Sequence, residues 1–132
     1  MESRDVIIIG GGPAGLGAAQ RLNQLGVKDV VVLEREAEAG GIPRHCGHTG
    51  FGWNSHHRLW SGPRFAAEIR AAAAHVEIRT RASVLELAKD GRIRVATSMG
   101  VREMQGKQVL LATGTRETPR SARLVGGTRP FQ

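Results

Sequence analysis

The chain has 132 residues, 40% of them hydrophobic, which suits one domain with one core and is short for an enzyme with two nucleotide sites. Its 19 Lys and Arg exceed its 12 Asp and Glu by seven, but the basic residues are scattered singly along the chain. Three Phe, two Trp and no Tyr supply little for base stacking, so the charge points away from a nucleic acid and toward an acidic partner subunit.

The opening Met1-Glu2-Ser3-Arg4-Asp5 leads straight into a strand, and no apolar run approaches the ~18 residues of a membrane span. With no sign of a signal peptide or a span, the expectation is a cytoplasmic protein. The apolar run Val6-Ile7-Ile8-Ile9 predicts a buried strand. Gly10, Gly12 and Gly15 follow it at the G-x-G-x-x-G spacing. In such a corner Gly10 permits the tight turn, Gly12 lets a pyrophosphate approach the backbone, and Gly15 lets the helix pack close to the strand. Pro13 suits the first helical turn because it has no N–H to leave unsatisfied. Through Ala14, Leu16, Ala18, Ala19, Leu22 and Leu25 the pattern is helical, and Gly26 is its stop. A triplet of this kind carries little by itself in a chain with 18 glycines. Context strengthens it: Val30-Val31-Val32-Leu33 reads as a second buried parallel strand and ends in Glu34, about 20 residues past the turn, where a carboxylate accepts hydrogen bonds from ribose hydroxyls. That carboxylate would repel a 2'-phosphate, so the nucleotide expected is an unphosphorylated adenosine such as that of FAD or NAD.

The segment from Arg35 to Trp60 reads as long and irregular, with Gly40-Gly41 followed by Ile42-Pro43-Arg44-His45-Cys46-Gly47-His48. After Ser61-Gly62-Pro63 a helix is predicted from about Arg64 to Ala74, then a short strand over Val76 to Thr80. Three further strands, Ser83 to Leu87, Arg92 to Thr97 and Val101 to Met104, are separated by Lys89-Asp90-Gly91 and Ser98-Met99-Gly100 and form an antiparallel meander. Gln108-Val109-Leu110-Leu111-Ala112 then reads as a central strand ending at Thr113-Gly114. The fold expected is α/β: a Rossmann-like parallel sheet with flanking helices and an inserted antiparallel meander.

This order of glycine corner, acidic strand end, helix, meander and a strand ending in Ala112-Thr113-Gly114 resembles the FAD-binding half of the glutathione-reductase-like flavoproteins, which carry two dinucleotide-binding domains. More narrowly, the stretches Gly41 to Gly52 and Gly114 to Arg120 are similar to the FAD subunits of opine oxidases, dye-linked proline dehydrogenases and hydrogen cyanide synthase. The resemblance implies a FAD-dependent oxidoreductase component acting on a carbon–nitrogen bond of an amino acid or secondary amine, with electrons passed to another subunit or acceptor. It implies that Gly10, Gly12, Ala14 and Gly15 face the FAD pyrophosphate and that Glu34 holds the adenosine ribose, with Arg35 alongside the adenine. It further sets Val84 near the adenine edge, Thr113 and Gly114 near the phosphates, and Gly41, Ile42 and Arg44 toward the flavin. The alternative is a dinucleotide-binding module without catalysis of its own.

The departures from that pattern matter too. Disulfide reductases of the group carry two cysteines after the second glycine turn, whereas Cys46 stands alone, which excludes an intrachain disulfide and a dithiol relay. Members of the group continue into a second nucleotide-binding domain, and this sequence stops at Gln132, so residues 1–132 are expected to be a single FAD-binding domain truncated before that second domain: either the sequence is a fragment, or a homo-oligomer or partner subunit completes the flavin site. His45, Cys46, His48, His56 and His57 fit no standard zinc spacing, so no metal is expected. One of these histidines could carry a proton, and the sequence does not select which. Trp53 and Trp60 read as loop anchors and Arg116-Glu117 as a hinge ion pair.

Overall fold

A computed structural model describes residues 1–115, so the expected pair Arg116-Glu117, and the motif residues from Arg116 to Arg120, lie outside the described residues. The first strand, β1 (Glu2–Ile9), pairs in parallel with β2 (Val30–Leu33), with Val6 opposite Val30 and Ile9 opposite Leu33. Every residue of β2 is buried, as are Ile7 to Ile9 of β1. An uninterrupted apolar run, without alternation, is what a strand covered on both faces requires. Ile8, Val30 and Val32 pack with Ala19 and Val76 on one face. Ile7, Ile9, Val31 and Leu33 pack with Ala82, Ile93, Val95 and Met104 on the other.

The first face is covered by two helices. Helix α1 (Pro13–Gln24) starts at the proline and stops as its sequence directs. Gly26 takes φ +87°, the Gly26 N–H donates to the Asn23 carbonyl and the Val27 N–H to the Leu22 carbonyl, and Leu22 and Val27 pack on the same cluster. These are the paired bonds and the apolar contact of a Schellman stop. The second helix, α3 (Gly62–Ala72), packs its Ile69 in a cluster with Leu16 of α1 and with Ile78. Strand β5 (Glu77–Arg79) then adds in parallel to β2.

The segment from Arg35 to Trp60 is more ordered than its composition suggests. It holds a 3₁₀ helix (Ile42–His45), strand β3 (Thr49–Phe51), a single-turn helix α2 (Trp53–His56) and strand β4 (Trp60–Ser61), with β3 and β4 paired antiparallel as a small separate sheet. Stacking of Phe51 on Phe65, ring centroids 5.9 Å apart, fastens this hairpin to α3 (Gly62–Ala72). Helix α3 begins two residues before the predicted Arg64 because Gly62 can enter the first turn: its N–H donates to the Cys46 carbonyl, and a Cβ there would lie 2.2 Å from the Pro43 oxygen.

Strands β6 (Ser83–Leu87) and β7 (Arg92–Thr97) match the expected meander. The third meander strand and the closing central strand do not exist separately: both belong to β8 (Gly100–Leu111), twelve residues long. Its first part, Gly100 to Gln105, pairs antiparallel with β7, and its stretch from Met104 to Leu111 runs parallel to β1, giving a six-stranded sheet in the order β5-β2-β1-β8-β7-β6. Gly106, which reads as a break, is held in the ladder opposite Arg4 and donates its N–H to the Gly91 carbonyl of the β6–β7 turn. Met104 and Val109 are an odd number of residues apart yet pack on one cluster, so the strand changes face near Gly106 while remaining continuous.

A network of charges crosses the sheet at β1 and β5. The Arg4 guanidinium meets Glu2 (2.7 Å), Asp29 (3.0 Å) and Glu77 (2.7 Å), and Arg79 meets Glu2 (2.6 Å) and Glu77 (2.7 Å). Hydrogen bonding from Arg79, then from Arg4, outweighs desolvation and lowers the Glu2 carboxyl from its usual 4.5 to about 2. Because the folded value lies below the unfolded one, the stabilisation is complete above the unfolded value and is lost as pH falls through the folded one. The Glu2 side chain is 39% exposed. Solvent screening therefore limits the network's worth through this group to about 1 kcal/mol. Urea unfolding of Glu2→Gln against wild type should show a deficit of that order at neutral pH that shrinks as pH falls from 4.5 to about 2. A deficit independent of pH would remove the carboxylate charge as its cause.

Candidate functional site: a cleft at the glycine corner

Where β1 hands over to α1, three glycines stand in different steric situations. Gly10 takes φ +111°, and a Cβ there would lie 2.2 Å from the Ala112 carbonyl oxygen. A Cβ at Gly15 would lie 1.9 Å from the Gly10 oxygen, so the helix rests directly on the turn. At Gly12 the nearest protein atom to such a Cβ is the Gly41 Cα, 3.7 Å away, an ordinary contact distance. Gly12 also has φ −81° and ψ −172°, a conformation open to any residue. Neither packing nor backbone geometry demands a glycine at position 12. The space in front of its Cα is part of a cleft of about 730 Å³.

The first intrahelical bond of α1 runs from the Leu16 N–H to the Gly12 carbonyl. The amides ahead of it have no partner within the helix, and the aligned peptide dipoles put partial positive charge at this end. Gly10, Gly12, Pro13 and Ala14 line the cleft. Gly15, expected to face the pyrophosphate, does not line it. Its place is beneath the turn, the packing role that its position in the spacing also assigns.

Glu34 is the buried charged residue of the described structure, 7% exposed. Its Oε2 accepts the Gly11 N–H at 2.8 Å and its Oε1 accepts the Glu36 N–H at 2.8 Å. An ionised carboxylate has about four lone-pair sites, so this pairing fixes the group while leaving acceptor capacity on each oxygen toward the cleft it lines. Gly11 was not among the expected site residues. Its signal was its position between two fingerprint glycines: a Cβ there would lie 2.9 Å from Glu34 Oε2.

The opposite wall comes from Gly41, Ile42, Pro43, Arg44 and His45. The Gly40 N–H donates to the Gly11 carbonyl at 2.7 Å, and Gly41 at φ +68° brings its Cα against Gly12. Arg44 donates to the Glu38 carbonyl (3.0 Å) and pairs with its carboxylate (3.5 Å), so its guanidinium is already partnered. Arg35, Glu36, Ala82, Ser83 and Val84 also line the cleft, as do Ala112, Thr113, Gly114 and Thr115 after the end of β8. The sequence-predicted residues therefore converge on one cleft, Gly15 excepted. Glu36, His45, Ala82, Ser83 and Thr115 line it unpredicted. Of the histidines weighed as proton carriers, the described structure places only His45 there.

The remaining histidines and Cys46 serve local contacts. His48 stacks on Phe51 with centroids 5.2 Å apart, His56 tilts against Trp60 at 4.8 Å, and Cys46 Sγ lies 3.6 Å from the Ile42 carbonyl. Arg64 sits over the Trp60 ring at 5.3 Å, which makes Trp60 an anchor, whereas Trp53 is exposed. Among the described residues no three His, Cys, Asp or Glu side chains come together as a metal-binding group, and no helix is long and apolar enough to cross a membrane.

The family model for pyridine nucleotide-disulphide oxidoreductases matches residues 4–128. Over 124 residues the chain is 31% identical to the A-subunit of opine oxidase from Rhizobium meliloti (strain 1021), covering 90% of this chain and 26% of that protein. It is also 31% identical, over 146 residues, to the soluble pyridine nucleotide transhydrogenase of Hahella chejuensis (strain KCTC 2396), covering 85% and 31%. The chain thus spans about a quarter to a third of the length of these curated relatives. Among solved structures, L-proline dehydrogenase from P. horikoshii superposes with a TM-score of 0.70 at 30% identity, covering 85% of this chain and 22% of that one. Thioredoxin reductase from Lactococcus lactis superposes at 0.69 with 23% identity, covering 88% and 37%, a likeness of fold. Its glycine corner, its buried glutamate and a family match over nearly its full length agree: the chain belongs to the pyridine nucleotide-disulphide oxidoreductase family, a family of FAD-dependent oxidoreductases.

Proposed function

We propose that this chain is the FAD-binding part of an oxidoreductase acting on a carbon–nitrogen bond of an amino acid or secondary amine. The observation that carries the cofactor reading is the open position at Gly12, set between two glycines that packing makes obligatory and facing a cleft lined by a fixed carboxylate. Oriented amides and a helix dipole suit a diphosphate without a lysine. Gly12 and Ala14 would hold the pyrophosphate of FAD, and Glu34 would accept from the adenosine ribose hydroxyls. Arg35 and Val84 would flank the adenine, Thr113 and Gly114 would lie by the phosphates, and Gly41, Ile42 and Arg44 would face the flavin. Bound there, FAD supplies two-electron oxidation. Support for amine chemistry comes from the 31% identity to the opine oxidase protein and the 30% identity to L-proline dehydrogenase.

The chain covers only 22% to 31% of these relatives and of the transhydrogenase. We infer that further protein, whether more of the same polypeptide, a second copy or a partner subunit, completes the flavin side of the cleft. A second reading is a dinucleotide-binding module that relies on its partner for catalysis. Cyclic amino acids with an artificial electron acceptor separate the two: turnover supports the first reading, and flavin binding without turnover supports the second.

Two substitutions test the cofactor site itself. Gly12→Ala should leave stability within about 0.5 kcal/mol and weaken FAD binding by at least tenfold, about 1.4 kcal/mol. Gly10→Ala should lower stability by at least about 3 kcal/mol, through a backbone clash and a φ that disfavours a side chain. Thermal melts and a flavin fluorescence titration read both, and undiminished FAD affinity in Gly12→Ala would refute the proposed phosphate site. Glu34→Ala should weaken FAD binding by about 1 to 3 kcal/mol, and should also destabilise the fold because the Gly11 N–H loses its buried acceptor. Unchanged affinity would remove Glu34 from the site.

A further inference from the structure

From residue 39 to residue 67 the chain contains three Arg and four of its five His but no Asp or Glu. The bordering carboxylates are engaged: Glu38 pairs with Arg44 and Arg70, and Glu68 lies 4.0 Å from Arg64. Within this segment the β3–β4 hairpin has two unlike ends. Its strand pair Phe51 and Trp60 is anchored by aromatic contacts, Phe51 on Phe65, His56 tilted against Trp60 and Arg64 over the Trp60 ring. Its tip presents Trp53, His57, Arg58 and Leu59 to solvent, with Trp53 58% and Leu59 65% exposed. Arg58 makes no ion pair among the described residues, and none of these four residues lines the cleft.

His57 holds φ +52°, a left-handed conformation that costs a residue with a Cβ of order 1 kcal/mol or more. Its N–H donates to the Trp53 carbonyl at 3.1 Å, so the strained residue closes the single-turn helix and sets the backbone from which Arg58 and Leu59 leave it. An ordered tip that exposes an indole and an isobutyl group beside unpaired positive charge has the composition of an interface core: aromatic and Arg residues with no carboxylate between them.

We propose that the hairpin tip, Trp53 with His57 to Leu59, docks an acidic protein surface that carries an apolar anchor. The positive charge would steer and register the partner, and Trp53 and Leu59 would supply the desolvated contact. The proposal rests on the charge partition and exposure of this hairpin and stands whether or not the cleft takes FAD.

The probe is a random glutamate–tyrosine copolymer, compared at low salt with polyglutamate and with single-stranded DNA of equal charge. Expected are tighter binding of the copolymer than of polyglutamate and a change in Trp53 emission. Arg58→Glu and Trp53→Ser should each weaken copolymer binding by about tenfold. Arg102→Glu, on the exposed meander, should leave it unchanged. His57→Gly should raise the Tm and yet weaken binding, which separates docking from folding. Equal losses in Arg58→Glu and Arg102→Glu would show diffuse attraction and overturn the proposal. So would tighter binding of the DNA, or self-association of the chain through the tip without copolymer binding.

Discussion

The hydrogen bond from the Gly11 N–H to Glu34 Oε2 ties the two halves of this architecture together. It joins the end of β2 to the turn after β1, and it does so through a carboxylate that is almost wholly buried. Such a group is costly to remove from water unless strong donors meet it, and here two main-chain amides do. Because both donors are backbone amides just past the ends of β1 and β2, the carboxylate position is set by the main chain and not by mobile side chains. The Glu34 backbone adds to this: its N–H donates to the Arg79 carbonyl, and its carbonyl accepts from Ala82, so the same residue links β2 to β5 and to the start of the meander. The wall of the cleft and the core of the sheet are therefore one structure.

The corner separates two demands on glycine that a sequence pattern merges. Gly10 and Gly15 are required by the protein itself, because the Ala112 carbonyl and the turn's own carbonyl occupy the space a side chain would need. Gly12 is not required by the protein. What the missing side chain leaves at Gly12 is bare backbone facing the cleft, which a bound diphosphate can approach. That distinction gives the cofactor reading a physical basis separate from resemblance, and it locates the phosphate subsite to within one residue.

Much of this was legible in the chain. The uninterrupted runs at Val6 to Ile9 and Val30 to Leu33 announced strands covered on both faces, and Gly26 announced the helix stop. The cleft residues at Gly41, Val84 and Thr113 came from family resemblance, not from periodicity, because their place depends on tertiary contacts such as Gly40 on Gly11. Two features were hidden for the same reason. Gly106 reads as a break, and only pairing on both sides, with β1 and with the β6–β7 turn, keeps β8 continuous. The segment from Arg35 to Trp60 lacks any local period, and its order comes from aromatic stacking on α3 and from the close seat of Gly62 on Cys46.

The central claim is that unpartnered amides at the start of α1 receive a diphosphate. Nitrogen-15 correlation spectra of the protein titrated with ADP, which carries the diphosphate without the flavin, test it most directly. The account predicts saturable shifts of the Gly12 and Ala14 amides, with the Gly11 amide perturbed through Glu34, and much weaker shifts with a 2'-phosphorylated adenosine diphosphate. Saturation that leaves Gly12 and Ala14 unmoved, or equal response to the 2'-phosphorylated ligand, would contradict it.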